Sequence, residues 1–481
     1  MLDRRTFLYT GGAAAVLGPT ARSVGQTPSR PDLVGDIAIL RDALLTLHPG
    51  LYRYNSPRGI AAGIAHLETE FVAAPDVERR YLALSRFLAT IKCGHSYANF
   101  FNQKKTVASA LFERPTRLPF AFRWIGGEMV VTQFHSSALP FRPGSVIRAI
   151  NSVRTRDLLA TLMPYARADG SNDAKRRALL SVTGEDSLEY FDVFQGLLFP
   201  PDSDGFTLDI VENGQRRSVT MSPISLSARK SFASPQPRGD AAVWQWTMQR
   251  DVAVLRMDSW AMYNSTWDWE GWLSSRLDSL SGAKGLIIDI RRNEGGNDCG
   301  DIILSRLAAR DIDRPKVRRL VRYRKTPKAL DRHLDTWDDS FRDWGAEATP
   351  IDDRYFELNR KDDLPVLAAK GPRIDVPTIV LTSAQNSSAT FQFAQLARAS
   401  GLATLIGETT GGNRRGINGG AYFFVRLPAS GLEFDLPLIG YFPTVREPDA
   451  GLVPDIRISE TAEDIANGRD RTMETALARF A

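Results

Sequence analysis

One serine in this chain stands where nucleophilic chemistry would need it. In Asn386-Ser387-Ser388-Ala389-Thr390 a short apolar run, Thr378-Ile379-Val380-Leu381, has just ended, and an apolar-periodic segment, Phe391 to Ala397, begins. A serine on a sharp strand-to-helix junction holds its oxygen off the backbone and over a cleft. The unsatisfied N–H groups of the helix start favour negative charge beside it. Acyl transfer uses both features. The same residues also describe an ordinary helix N-cap.

A serine hydroxyl is a poor nucleophile at neutral pH and needs a base. No lysine lies between Ser388 and Asn413, or from there to the last residue. The base is therefore a histidine or comes from elsewhere in the chain. His95 is the best candidate, because Gly94 frees the backbone before it and polar Ser96 and Tyr97 follow. A hydrogen-bonded structural histidine is the competing reading. Gly295-Gly296 follows an apolar strand, and glycines there can turn backbone N–H groups toward an oxyanion. They equally fit a turn that needs positive φ. Gly407-Glu408-Thr409-Thr410-Gly411-Gly412 is a second glycine-rich loop after a strand. It lacks the lysine and the following helix of a nucleotide loop. Trp260, Tyr263, Trp267, Trp269 and Trp272 form a dense aromatic patch that suits either a cleft wall or a core. The five histidines show no metal-ligand spacing, so no metal and no cofactor is expected.

The elements that must position these residues follow from periodicity. Residues 32 to 92 read as two or three helices, with Leu33, Ile37, Leu40 and Leu44 at helical spacing and His48-Pro49-Gly50 as a stop. From about 115 to 225 short strand candidates dominate: Val130-Val131-Thr132, Ser145 to Ile150 and Phe206 to Val211. Asn213-Gly214 gives a hairpin turn, and Arg156 to Met163 a short helix. From about 250 strands alternate with helices. Gly285 to Ile290 is almost continuously apolar, as for a strand covered on both faces. Residues 312 to 368 are charge-rich and weakly periodic, and read either as an insertion or lid over a cleft or as a surface excursion.

A length of 481 residues and an apolar fraction of 43% allow a sizeable core. The net charge of +5 is dilute and comes without a basic stripe, so nucleic acid is not indicated. At the N-terminus Arg4-Arg5 precedes the short small-residue stretch Gly11 to Gly18, a twin-arginine export pattern too short to span a membrane. Cleavage is expected near Ser23 to Gln26, leaving a charge of about +3 and a periplasmic or extracellular protein. Cys93 and Cys299 allow one disulfide but no framework.

The ordered motifs resemble the C-terminal processing peptidases, clan mates of the tricorn core protease, serine peptidase family S41. Arg291-x-Asn293-x-Gly295-Gly296 is similar to the family's RxNxGG segment, Ser388-Ala389-Thr390 to its nucleophile site, Gly407-Glu408-Thr409-Thr410-Gly411 to its GExTxG loop, and Gly451-Leu452-Val453-Pro454-Asp455-Ile456 to its GVxPDI ending. Order and spacing agree over residues 250 to 458. Pro143 to Asn151 resembles the PGDxIxxING segment of a PDZ-like module, with Ser145 in place of Asp.

The resemblance implies an α/β peptidase core with a twisted mixed, ClpP/crotonase-like sheet, preceded by an N-terminal helical region and a PDZ-like β-rich module. The implied division is a signal peptide at 1–26, a helical domain at 27–110, the module at 111–228 and the core at 229–481. It implies a Ser-His-acid site hydrolysing peptide or protein substrates. Many relatives use a Ser-Lys dyad, but the lysine position reads Asn413 here. Ser388 is then the nucleophile and His95 the base, with Glu447 or its rival Asp449 as the acid, acting through Ser96. Gly295, Gly296 and Ala389 supply the oxyanion donors, and Trp260, Tyr263 and Trp267 the substrate cleft. The family's usual Glu three residues after the nucleophile is Phe391. Two other functions remain open: an exported binding protein for lipid or peptide on the same scaffold, and an esterase. A purely structural role through the module is a further option. The oligomeric state is undetermined by sequence.

Overall fold

The computed structural model describes residues 28–134, 139–232, 242–263, 265–360 and 365–481. The expected leader at 1–26 lies outside them. At the centre is a six-stranded sheet in the order 456–457, 404–407, 378–382, 285–289, 252–256, 245–249. Its first five strands are parallel and the last is antiparallel. The unbroken apolar runs follow from burial on both faces. Leu286, Ile288, Val380 and Leu405 point into one core with Ala394 and Ala397 of helix Ser388–Ala399. Ile287, Ile379, Leu381 and Ile406 point into another, closed by Met473, Ala476 and Phe480 near the C-terminus. The loops after Gly285–Asp289 and Thr378–Thr382 leave adjacent parallel strands at their carboxyl ends, where open α/β sheets form clefts.

A second, antiparallel sheet runs in the order 334–335, 418–426, 433–443, 317–321, 356–358, 348–350. Four of these strands come from the charge-rich 312–368 segment. That segment is neither a separate lid nor a surface excursion: Val321, Tyr323, Leu330, Phe341 and Trp344 are buried in the largest core. Its strands are only two to five residues long, too short to display a period in sequence.

The N-terminal helices Arg30–Leu47, Pro57–Ala73 and Val77–Thr90 start where Ser29, Ser56 and Asp76 cap them, each side chain accepting from a backbone N–H three residues on. They share the largest core with the antiparallel sheet. The buried Asp36 carboxylate fastens the first helix to the 427–432 turn, accepting from the N–H groups of Ala429 and Ser430 at 3.0 and 2.8 Å. The β-rich module is an antiparallel sheet of strands between Phe120 and Met221, with Asn213 and Gly214 at positive φ in one hairpin turn. Gly144, in the PDZ-like segment, has φ +87°, and a Cβ there would lie 2.5 Å from the Ala466 side chain. Glycine therefore lets the module close onto helix Ala462–Ala466. Helix Leu226–Phe232 runs across the expected boundary at 228.

Candidate active site

Ser388 opens helix Ser388–Ala399 with φ +51°, a left-handed conformation that a serine adopts only where its surroundings enforce it. The enforcement is visible. Asn386 is fully buried; its Oδ1 accepts from Ser383 N–H at 2.7 Å, and its Nδ2 donates to Ile290 O at 2.5 Å and Asn293 O at 3.0 Å. Its carbonyl accepts from the N–H groups of Gly411 and Gly412. One asparagine thus locks the serine turn to both glycine loops. Thr390 adds a bond to Asn293 O at 3.1 Å, and Ser387 one to Glu294 O at 3.1 Å.

The Gly295 and Gly296 positions admit only glycine, with φ +108° and +140°. A Cβ on Gly295 would sit 2.9 Å from the Ser388 Cβ, and one on Gly296 would sit 2.2 Å from the Trp260 carbonyl. The chain needs this absence of side chains to bring the loop against the serine. Gly295 N–H is already committed to Asn293 Oδ1 at 2.9 Å. It is therefore removed from the expected oxyanion donors. Gly296 N–H has no acceptor among the described residues, and Ala389 N–H belongs to the first helical turn, whose donors have no intrahelical partner. In the same motif Arg291 grips Asp289 and Asp470 at 2.7 Å each, a tie between the sheet and the C-terminal helix.

His95 sits on the turn after helix Val77–Thr90, and this turn is pinned on several sides. Gly94 N–H donates to Asp169 Oδ1 at 2.8 Å, and Arg167 donates to Gly94 O. Asn418 Nδ2 donates to Cys93 Sγ at 3.2 Å, and Tyr97 O accepts from Asp435 N–H at 3.0 Å. Ser96 Oγ is bonded to His48 Nε2 at 2.9 Å, and His48 Nδ1 accepts from Gly50 N–H.

His95 and Ser388 line one cavity, without a hydrogen bond between them. It encloses about 590 Å³, part of it open to solvent. Tyr97, Tyr263, Trp337, Tyr422 and Phe424 form its aromatic walls, and Arg167, Glu294 and Asp435 bring charge. Arg167 donates to Tyr190 Oη at 2.6 Å and to Glu294 at 3.4 Å, and lies over the Tyr97 ring at 4.4 Å. Lys175 Nζ completes the cluster, 2.5 Å from Glu294. Burial opposes ionisation of Glu294, but Lys175 and Arg167 outweigh it and hold the carboxyl down to about 2. Burial pushes His95 down to about 3, with Arg167 adding to the effect and Glu294 opposing it. The imidazole is therefore neutral at physiological pH. Its Nδ1 is buried without a hydrogen-bond partner among the described residues.

Several expected site residues lie elsewhere. Glu447 pairs with Arg414 at 2.6 Å, and Asp449 accepts from Ser171 N–H and Asn413 Nδ2 at 2.8 and 2.7 Å. Neither carboxylate bonds to His95. Ser96 is occupied by His48 and does not link His95 to an acid. Trp260 is 0% exposed and packs on Phe393, and Trp267 packs on Trp244 and Trp272. Both are core rather than cleft, since apolar burial absorbs large indoles facing inward. Tyr263, 46% exposed, is the one residue of that trio on the cavity. Asn413 is buried against Asp449 and Asp169. Phe391 sits against Gly412, where a Cβ would lie 2.3 Å from its ring. Sequence reasoning missed Arg167, Glu294, Trp337, Tyr422, Phe424 and Asp435. Glu294 was visible as the variable position of Arg291-x-Asn293-x-Gly295. Asp435 was visible as a lone carboxylate in the apolar run Phe434 to Ile439. Arg167 and Trp337 carried no local signal.

A serine forced into a left-handed turn at a helix start, beside free backbone donors and a neutral imidazole, defines a serine-hydrolase type of site on an α/β scaffold. Residues 251–457 match the family model described as Peptidase family S41. Residues 251–457 are thus a domain of peptidase family S41, of the serine type. Among solved structures the chain is similar to mature CPAF complexed with lactacystin, at 15% identity and a TM-score of 0.63, covering 94% of this chain and 97% of that one. A mutant CPAF gives 14% identity and a TM-score of 0.60, with 91% and 94% covered. At these identities the likeness concerns the fold, which includes the helical region and the PDZ-like module. No curated protein matches the chain. No described helix is long and apolar enough to cross a membrane.

Proposed function

We propose that this chain is an exported peptidase in which His95 activates Ser388 for attack on a peptide carbonyl. The observation that carries the reading is the meeting of Ser388 and His95, almost three hundred residues apart in sequence, in one cavity. His95 takes the hydroxyl proton as the Ser388 Oγ–carbonyl bond forms, and returns it to the leaving amine. Ala389 and Gly296 N–H groups support the developing oxyanion. Each such donor is worth about 3 kcal/mol in a transition state. Glu294 favours the imidazolium formed on the way, through its charge. The acid of a full triad is not engaged in this conformation, because Glu447 and Asp449 are both held by other partners. The twin arginine at Arg4-Arg5 supports export to the periplasm or beyond. The alternation of strand and helix in the central sheet supports the ClpP/crotonase-like description of the core. Ser388→Ala is expected to keep the far-ultraviolet circular dichroism spectrum and to lower peptide turnover by about 10⁴-fold or more. Undiminished turnover by that variant would end the assignment.

A further inference from the structure

The cavity beside Ser388 contains a carboxylate that the proposed reaction does not use. Strands Asn418–Arg426 and Glu433–Pro443 pair Tyr422 with Pro437 and Phe424 with Asp435. Directly paired residues share a face, and residues two apart on one strand share it too. Tyr422, Phe424 and Asp435 therefore project to the same side, the side on which Trp337 lies 5.6 Å from the Tyr422 ring and 5.8 Å from the Phe424 ring.

Asp435 is 6% exposed. Its two oxygens accept one bond each, from Asn99 Nδ2 at 2.8 Å and Asn102 Nδ2 at 2.9 Å. These amides fix the carboxylate without neutralising it. No arginine, lysine or histidine forms an ion pair with it among the described residues. Arg167 and Lys175 both pair with Glu294, and Arg167 acts on Asp435 only through its field. Burial raises the Asp435 carboxyl to about 7; Glu433 adds to the effect, and Asn99, Asn102 and Arg167 oppose it.

The geometry points to Asp435 as the floor of a side-chain pocket that takes a lysine or arginine next to the bond cleaved. The inference rests on Ser388 being the nucleophile. The walls suit the same occupant, since the aromatic faces of Trp337, Tyr422 and Phe424 accept both the aliphatic stem and the cation of such a side chain. A purely apolar side chain would shut water away from the carboxylate and leave it only the two neutral amides, supplying no charge in return.

Two measurements on the mature full-length protein test this. The first compares kcat/KM on otherwise identical fluorogenic peptides carrying Lys, Arg, Leu or Phe at the position before the cleaved bond. The basic peptides are expected to lead by about 10- to 100-fold, the range of one charge-assisted contact, and Asp435→Asn is expected to erase most of that ratio. The second titrates benzamidinium and neutral benzamide calorimetrically into the wild type and Asp435→Asn. Benzamidinium is expected to bind the wild type at least about 10-fold tighter than benzamide, and the variant without that preference. The calorimetric arm needs no working nucleophile, so an inactive Ser388 and a wrong pocket give different results. Preference for Leu or Phe, or equal binding of the two probes, would overturn the proposal.

Discussion

At the scale of single residues, His95 shows how one environment serves chemistry at a cost to the fold. Burial holds its pKa near 3, so the imidazole stays neutral far below the ordinary histidine value of 6.5. The acid limb of kcat/KM is therefore expected well below pH 6.5, and a limb at or above that value would contradict the burial. For stability, an unfolded His95 takes up its proton below 6.5 while the native one resists until about 3, so stability declines as pH falls through that window. Glu294 works in the same direction: its stabilising pairs are complete above 4.5 and lost toward about 2. Asp435, raised from 3.8 to about 7, works in reverse, and its contribution weakens as pH rises between those values. Gly296 is a second residue-scale test. A methyl group there would strike the Trp260 carbonyl and force φ +140° on a side chain that resists it. Gly296→Ala is expected to lose about 1–3 kcal/mol in urea unfolding together with most turnover; wild-type stability and rate would show that the loop does not need its close approach.

At the scale of elements, the short helix Asp173–Leu179 carries Lys175 beneath the serine turn, where Nζ bonds to Glu294 and to Gln385 O at 2.9 Å. Lys175→Met would leave Glu294 with Arg167 alone, and a loss of about 2–4 kcal/mol is expected from denaturant midpoints, discounted because Glu294 is partly exposed. No loss would mean the lysine is idle. The same elements mark how far the sequence could be read. The strand Gly285–Asp289, the serine helix and the glycine loops were legible because apolar runs, helical period and glycine act locally. The acid was not. Glu447 and Asp449 stand close to a recognisable ending, but proximity along the chain does not reveal that Arg414 and Ser171 claim them. The tryptophans failed for a related reason: composition distinguishes aromatic from polar, not the inward from the outward face. Trp337 lay in a segment whose strands are too short to betray a period, yet it forms a cavity wall.

At the scale of the molecule, the site exists only because distant parts of the chain converge. The central sheet carries Ser388, the turn after the N-terminal helices carries His95, and the antiparallel sheet carries Tyr422, Phe424 and Asp435. Asp36 holds the first helix to the 427–432 turn, and Arg291 ties the serine side of the cleft to the C-terminal helix through Asp470. Both ties hold together parts of the chain that meet at the cavity, which the proposed proton transfer requires. The central claim is that Ser388 is made nucleophilic by His95. It is tested most directly by the rate at which a fluorophosphonate probe labels the mature protein, with the adduct mapped by mass spectrometry. A single adduct on Ser388, formed about 100-fold or more slowly in His95→Ala, is the predicted result. An adduct on another serine, or labelling of Ser388 at the same rate without His95, would contradict it.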